Sequence, residues 1–158
     1  MKADHLRRLK NLYRRRVPPD VLLTTEQARG LTELSREIRR QIGLLVDRKG
    51  QTRAVIVGSD REIEIPDLPE FRLGHRRLRG IRCLHTHLKN EPLTRDDLTD
   101  LALLRLDLMT AIGVLQNGLP GNVYVAYVTP PNPEGKVTAG LEPVPFHQVV
   151  LRVDELIR

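Results

Sequence analysis

Residues 81–98 constrain the fold of this chain more than any other segment. They open with the apolar run I-R-C-L-H-T-H, which predicts a β-strand over Ile81–His87. After a short polar link, Thr94 is followed three residues later by Asp97, a pattern that predicts a capped helix start. A strand followed closely by a helix favours a sheet that is covered by helices.

Two helices are predicted ahead of the first strand. Apolar residues at helical spacing indicate an amphipathic helix over residues 3–16, namely Leu6, Leu9, Leu12 and Tyr13. A pair of prolines ends this helix, because neither can continue its hydrogen-bond ladder. A second helix begins at Thr24 or Thr25, since either hydroxyl can cap it and Gln27 completes a capping box with Thr24.

After the second helix the chain changes to short apolar runs. Residues 42–46 and 53–57 flank the turn D-R-K-G and predict a β-hairpin. Residues 62–65 alternate polar and apolar side chains, which predicts a half-exposed strand. Residues 111–115 and 123–128 predict two further strands. The apolar face of the helix after Thr94 is predicted to consist of Leu98, Leu101, Leu104 and Leu108.

The order of these elements predicts an α/β protein, more narrowly an α+β fold with a mixed sheet flanked by helices. We assign residues 1–40 to a helical pair that packs on the core, and residues 41–145 to the mixed-sheet core. Residues 130–140 are rich in proline and glycine and are expected to form a loop. Residues 146–158 predict the start of a helix that has no C-terminal cap, so we expect further chain to follow.

Composition excludes two broad classes. The only cysteine, Cys83, rules out an internal disulfide framework and fits a reducing compartment. No apolar run approaches the roughly 20 residues that a membrane-spanning helix needs. The first residues lack the apolar segment of a secretory signal. We therefore expect a cytoplasmic protein without a membrane span.

The net charge of +6 is carried mainly by arginine and is unevenly distributed. The first helix carries the RNA-contact candidates Arg7, Arg8, Lys10, Arg14, Arg15 and Arg16. A second basic cluster consists of Arg72, Arg76, Arg77, Arg79 and Arg82. Contact with ribosomal or other RNA is one interpretation, because the arginine fork binds phosphate; an arginine-rich solvated surface is the other. The scarcity of aromatic residues argues against recognition by base stacking.

Three residues of the 81–98 segment have the chemistry of metal ligands. His85 and His87 project from the same face of the predicted strand, because alternate residues of a strand share a face. Asp97 lies in the first turn of the next helix, from which it can reach the strand end. Two histidines and one aspartate would leave a fourth position open for water, as in a catalytic zinc site. Alternatively, Asp96 and Asp97 only stabilise the helix N-terminus, and the histidines only hydrogen-bond their neighbours.

This segment resembles the metal-binding motif of the JAMM (MPN+) domain, in which H-x-H-P is followed by a serine and, three residues on, an aspartate. His85, His87, Thr94 and Asp97 match the motif in order. The sequence departs from it in three ways: Leu88 replaces the proline, Thr94 replaces the serine, and the gap after the second histidine is one residue shorter. The resemblance implies a JAMM-like, deaminase-like three-layer architecture and a zinc ion.

The same resemblance also implies that a glutamate on an upstream strand acts as the general acid and base of a hydrolase. In this chain Gln41 stands at that position by alignment, and a glutamine cannot accept the proton of a bound water. Thr94 stands where the serine assists the oxyanion. The resemblance therefore implies a zinc metallopeptidase or isopeptidase whose hydrolytic machinery is degenerate.

A second resemblance covers nearly the whole chain. The blocks V-P-P-D, G-L-L-V-D-R-K-G, L-R-G-I-R-C-L-H-T-H-L and L-T-R-D-D-L-T-D-L are similar to the N-terminal extension of long HflX-type GTP-binding proteins. The P-loop pattern G-x-x-x-x-G-K-[ST] is missing, since Gly135-Lys136 lacks both the earlier glycine and the Ser/Thr.

The HflX resemblance implies a cytoplasmic accessory or regulatory domain of a ribosome-associated GTPase. Its expected partners are the large ribosomal subunit or its rRNA and its own GTPase domain, which would follow residue 158 and bind GTP and magnesium. The alternatives are the degenerate JAMM-like zinc peptidase and a basic RNA-binding module.

Overall fold

The structure is a computed structural model that describes residues 1–68, residues 78–128 and the backbone of residues 143–145. Within these described residues, three helices and six strands follow one another. They are α1 (Ala3–Arg14), α2 (Thr25–Ile38), β1 (Ile42–Asp47), β2 (Thr52–Val57), β3 (Ile81–His87), α3 (Arg95–Leu103), β4 (Leu108–Val114), β5 (Pro120–Ala126) and β6 (Pro143–Pro145).

The strands form one mixed sheet in the order β2-β1-β3-β4-β5-β6. Only β3 and β4 are parallel, and the remaining neighbours are antiparallel. A parallel pair needs a crossover connection, and α3 supplies it. The predicted fold class, a mixed sheet flanked by helices, is confirmed.

Helices cover both faces of the sheet and bury two separate apolar clusters. Leu84 of β3 packs with residues of α1 and α2 in one cluster. Its neighbour Cys83 packs with Leu101 of α3 in the other cluster. Successive residues of a strand point to opposite faces, so β3 is buried from both sides. The result is a sheet between two helical layers.

A buried hydroxyl pair joins the end of α2 to β3. The Oγ of Ser35 lies 2.7 Å from the Oγ1 of Thr86 and donates to the carbonyl of Arg40 at 2.6 Å. The amide of Ile42 donates to the Oγ1 of Thr86 at 2.9 Å. These bonds fix the start of β1 against β3 on the face opposite to His85 and His87.

The capped helix starts and the hairpin are confirmed, with small changes at their ends. Thr24 accepts a hydrogen bond from the Gln27 amide and forms the predicted capping box. The first helix ends at Arg14 instead of residue 16 because Arg15 has extended backbone geometry. The hairpin, Ile81–His87 and the strands at 108–114 and 120–126 are present where the apolar runs predicted strands.

Two predictions about secondary structure were wrong. Residues 62–65 form no strand, because the Ser59 hydroxyl accepts hydrogen bonds from the Arg61 and Glu62 amides and turns the chain. Leu108 does not extend the apolar face of α3. That helix ends at Leu103, the left-handed backbone of Arg105 (φ 57°) breaks it, and Leu108 opens β4.

Several predictions lie outside the described residues. They are the loop at 130–140, the helix at 146–158, Gly135-Lys136, and the basic residues Arg72, Arg76 and Arg77.

Candidate metal centre

The structure brings together the three side chains that the sequence singled out. His85 and His87 lie at the end of β3, and Asp97 lies in the first turn of α3. The two Nε2 atoms are 2.9 Å apart. Asp97 Oδ1 is 3.1 Å from His85 Nε2, and Asp97 Oδ2 is 3.1 Å from His87 Nε2. One ligand atom from each residue lies within 4.8 Å of the other two, so the group can hold a metal ion.

All three side chains are withdrawn from solvent. The exposed fractions are 0% for His85, 3% for His87 and 9% for Asp97. His85 and His87 face the α3 layer because they alternate with Thr86, which faces α2. An ionised carboxylate is costly to bury without a partner. The burial of Asp97 is therefore offset by the two imidazoles that it contacts.

The helix cap fixes the position of the Asp97 carboxylate. The Thr94 amide donates to Asp97 Oδ2 at 2.9 Å, and the Asp97 amide donates to Thr94 Oγ1 at 3.1 Å. This reciprocal pair is a capping box. Asp97 thus stabilises the helix N-terminus and faces the histidines at the same time, so the two interpretations of this residue are compatible.

A backbone carbonyl sets the tautomer of His87. Its Nδ1 lies 2.9 Å from the carbonyl oxygen of Glu91. A carbonyl can only accept, so Nδ1 carries the hydrogen, and in the neutral ring the Nε2 lone pair faces His85 and Asp97. An imidazole whose outer nitrogen is held by a carbonyl is a common arrangement among metal ligands. No side-chain pattern could have predicted this role of Glu91, because its backbone makes the contact.

The opposite nitrogen of His85 has no such partner. Its Nδ1 is buried and makes no hydrogen bond. Buried polar atoms without partners are uncommon and cost stability. The orientation of the His85 ring is therefore set by contacts at Nε2, on the side that faces His87 and Asp97.

Electrostatic interactions favour a charged carboxylate at the centre. Burial alone would raise the pKa of Asp97, but its contacts with the His85 and His87 rings outweigh burial and hold this pKa well below its usual range. For His87, burial lowers the pKa, but the contacts with Asp97 and with the Glu91 carbonyl raise it above its usual value. The site therefore attracts positive charge, which a proton or a cation can supply.

The donor atoms fit a small tetrahedral ion. Around zinc, ligand atoms about 2.0 Å from the metal lie roughly 3.3 Å from one another. The separations of 2.9 and 3.1 Å in the structure are within a few tenths of an ångström of that spacing, with each oxygen of Asp97 facing one of the two imidazoles. Cys83 lies on the same strand face, but burial raises the pKa of its thiol far above the usual range. Its sulfur is also not among the ligand atoms that converge at this centre.

A cleft of about 370 Å³ adjoins the centre. His87, Thr94 and Gln41 line it. Gln41, which the JAMM alignment assigns to the general-base position, therefore shares a cleft with one candidate ligand. Gln41 is buried just before β1, where its backbone amide donates to the Ser59 carbonyl at 2.7 Å. The cleft also contains residues that the sequence interpretation missed: Asp60, Arg61, Lys89 and Glu91.

The basic residues of α1 are partly neutralised. Arg7 pairs with Asp4, Arg8 pairs with Asp4 and Glu37, and Arg15 pairs with Glu26. These four ion pairs reduce the positive charge that this segment offers to RNA. Arg16 donates to the Lys49 carbonyl at 2.7 Å. Among the residues that the structure describes, Lys10 and Arg14 have no ion-pair partner.

The second predicted basic cluster is only partly at the surface. Arg79 is exposed, whereas Arg82 is 2% exposed. Burial lowers the pKa of Arg82 to about 10, although Asp107 and Asp47 counteract this. Its Nε and one Nη nitrogen are buried without a hydrogen-bond partner. Arg82 is therefore not available to an RNA partner in this structure.

Comparison with known proteins does not assign the chain to a family. No protein-family model, no curated protein and no solved structure matches this chain. Within the described part of the chain, no helix has both the length and the apolar character that crossing a bilayer requires.

Proposed function

We propose that this chain is a zinc-binding accessory domain in which the ion is held by His85, His87 and Asp97 and serves a structural or regulatory role. The observation that carries the proposal is the convergence of two imidazole nitrogens and a carboxylate within hydrogen-bond distance in a buried site. Two nitrogen donors and one oxygen donor are typical of zinc, whereas calcium and magnesium prefer oxygen ligands alone.

The residues of the cleft favour a binding role over hydrolysis. A zinc hydrolase needs a base that removes a proton from the bound water. Gln41 lines the cleft at the position where the JAMM resemblance places that base, and its amide cannot accept a proton. When bound, zinc would supply positive charge that organises the end of β3 and the start of α3.

Zinc content tests this proposal. We expect one zinc ion per chain in protein that is purified without chelators or a histidine tag, measured by elemental analysis. The variant His85→Gln should lose the ion. Asp96→Asn is the matched control, because Asp96 lies beside Asp97 but is exposed. Absence of zinc from the wild type after reconstitution with excess zinc would refute the proposal.

We further propose that the domain acts within an HflX-type GTP-binding protein of the cytoplasm. The support is the resemblance of its sequence blocks to the N-terminal extension of that family. In this proposal the GTPase part binds GTP and magnesium, and the full-length protein associates with the large ribosomal subunit. Sedimentation of the full-length protein with ribosomes, with and without residues 1–158, tests it. Unchanged ribosome binding and GTP turnover after the deletion would count against it.

A second candidate is a zinc peptidase or isopeptidase. The observation in its favour is the open space of the cleft, where a substrate could approach His87 and Thr94. In this case Asp60 or Glu91 must replace the missing base, since both line the cleft. Cleavage of a peptide or isopeptide substrate that is lost in Glu91→Gln or Asp60→Asn, with zinc retained, would support it. No cleavage by zinc-loaded protein would exclude it.

A further inference from the structure

A second groove, of about 1110 Å³, lies beside the metal cleft and carries three arginines. Arg36 lies in the last turn of α2, and Arg39 and Arg40 follow the end of that helix. All three are exposed. Arg40 donates through Nε to the Gly58 carbonyl at 2.6 Å, which leaves its terminal nitrogens to face the groove. No carboxylate among the described residues forms an ion pair with any of the three.

Two of the three acidic residues of this groove have other partners, and the third, Asp60, lies where the groove meets the metal cleft. Glu33 lies 3.8 Å from Arg29, and Glu37 pairs with Arg8 and with His5. Their charges are therefore already offset by cations elsewhere on the two helices. This contrasts with α1, where most arginines are paired with carboxylates. The uncompensated positive charge of the helical layer is concentrated at the end of α2.

Arg39 reaches the groove from an unusual backbone position at the end of α2. Arg39 caps α2 in the left-handed region, with φ 56° and ψ 40°. Glycine is usual at such a cap, and a residue with a Cβ costs on the order of 1 kcal/mol there. The Arg39 amide donates to the Arg36 carbonyl and the Arg40 amide donates to the Ser35 carbonyl, so backbone hydrogen bonds hold the cap and Arg39 lines the groove.

We propose that Arg36, Arg39 and Arg40 bind the phosphate groups of a small diphosphate-bearing ligand. A single carboxylate is neutralised by one arginine, whereas a diphosphate carries several charges and offers oxygens to several guanidinium forks. The groove and the metal cleft share Asp60 and Leu88 in their linings. A ligand held by its phosphates therefore extends toward His87; this last step rests on the proposed metal site, whereas the phosphate site does not.

Calorimetric titration of the 158-residue chain with inorganic pyrophosphate, in EDTA, tests the phosphate site. We expect saturable binding that weakens at least about tenfold in the double variant Arg36→Gln, Arg39→Gly, because charged hydrogen bonds are lost. Glycine suits the left-handed cap, so this variant stays folded. Arg14→Gln removes the same kind of charge from α1 and should change the affinity less than about twofold.

Several results would overturn the proposal. They are no saturable binding, unchanged affinity in the double variant, or equal weakening in Arg14→Gln. Binding of a single-stranded RNA oligonucleotide that depends on Arg14, with no binding of pyrophosphate, would also overturn it in favour of an RNA surface on α1. Pyrophosphate binding by the His85→Gln variant would show that the phosphate site stands even if the metal site fails.

Discussion

Two buried threonines should respond in opposite ways to the same substitution. Thr86 and Thr110 lie on adjacent strands and are both 0% exposed. The hydroxyl of Thr86 accepts from the Ile42 amide at 2.9 Å and lies 2.7 Å from the Ser35 hydroxyl. The hydroxyl of Thr110 is buried without any partner. Valine has nearly the shape of threonine, so each substitution to valine reports mainly on hydrogen bonding.

The expected magnitudes follow from these contacts. Thr86→Val leaves the Ile42 amide without an acceptor, and an unsatisfied buried donor costs about 1–3 kcal/mol. Ser35 keeps its bond to the Arg40 carbonyl, so we expect a total loss of about 2 kcal/mol and a fall in Tm of roughly 4–8 °C. Thr110→Val removes a buried hydroxyl that makes no bond and should be neutral or stabilising by up to about 1 kcal/mol.

Urea denaturation followed by circular dichroism measures both changes. Neither variant should lose zinc, because the Thr86 side chain points away from His85 and His87. A loss below about 0.5 kcal/mol in Thr86→Val, within the range of ordinary surface substitutions, would contradict the assigned bonds. Equal destabilisation of both variants would show that valine is simply tolerated poorly at these positions.

Four further predictions concern the metal ligands and the glycines. Asp97→Asn should lower zinc affinity in calorimetry by at least about tenfold, whereas Asp96→Asn should leave it nearly unchanged, because only the first faces the imidazoles. Zinc affinity should fall at least about tenfold between pH 7.5 and pH 5.5, because His87 must lose its proton to bind the ion and its raised pKa keeps that proton to higher pH. A flat profile would argue against His87 as a ligand. Gly30→Ala should stabilise α2 by up to about 1 kcal/mol, because nothing lies within 4 Å of the added Cβ. Gly113→Ala should destabilise by at least about 2 kcal/mol in urea denaturation, because its Cβ would lie 2.7 Å from a backbone atom of the loop after β3.

Local signals in the sequence were sufficient for the centre itself. Alternation along β3 placed His85 and His87 on one face, and the capping box placed Asp97 at the start of α3. Both rules depend on residues close together in the chain, so they can be applied without a structure. The interest in Gln41 depended instead on the alignment to the JAMM motif, which assigned it to the general-base position.

Contacts between distant segments could not be predicted in the same way. The Glu91 carbonyl that orients His87 has no side-chain signature, and the pairing of Arg8 with Glu37 depends on how α1 packs on α2. Residues 62–65 alternate as a strand does, but alternation does not guarantee a partner strand. β6 is three residues long and contains two prolines, so it carries no strand pattern.

X-ray absorption at the zinc edge is the most direct test of the central claim. For zinc-loaded protein we predict a first shell of nitrogen and oxygen at about 2.0 Å, with the outer-shell scattering of two imidazoles and no sulfur at about 2.3 Å. The variant His85→Gln should lose the imidazole signal together with the ion. A sulfur ligand, or zinc bound without imidazole scattering, would contradict the assignment of His85, His87 and Asp97 as the ligands.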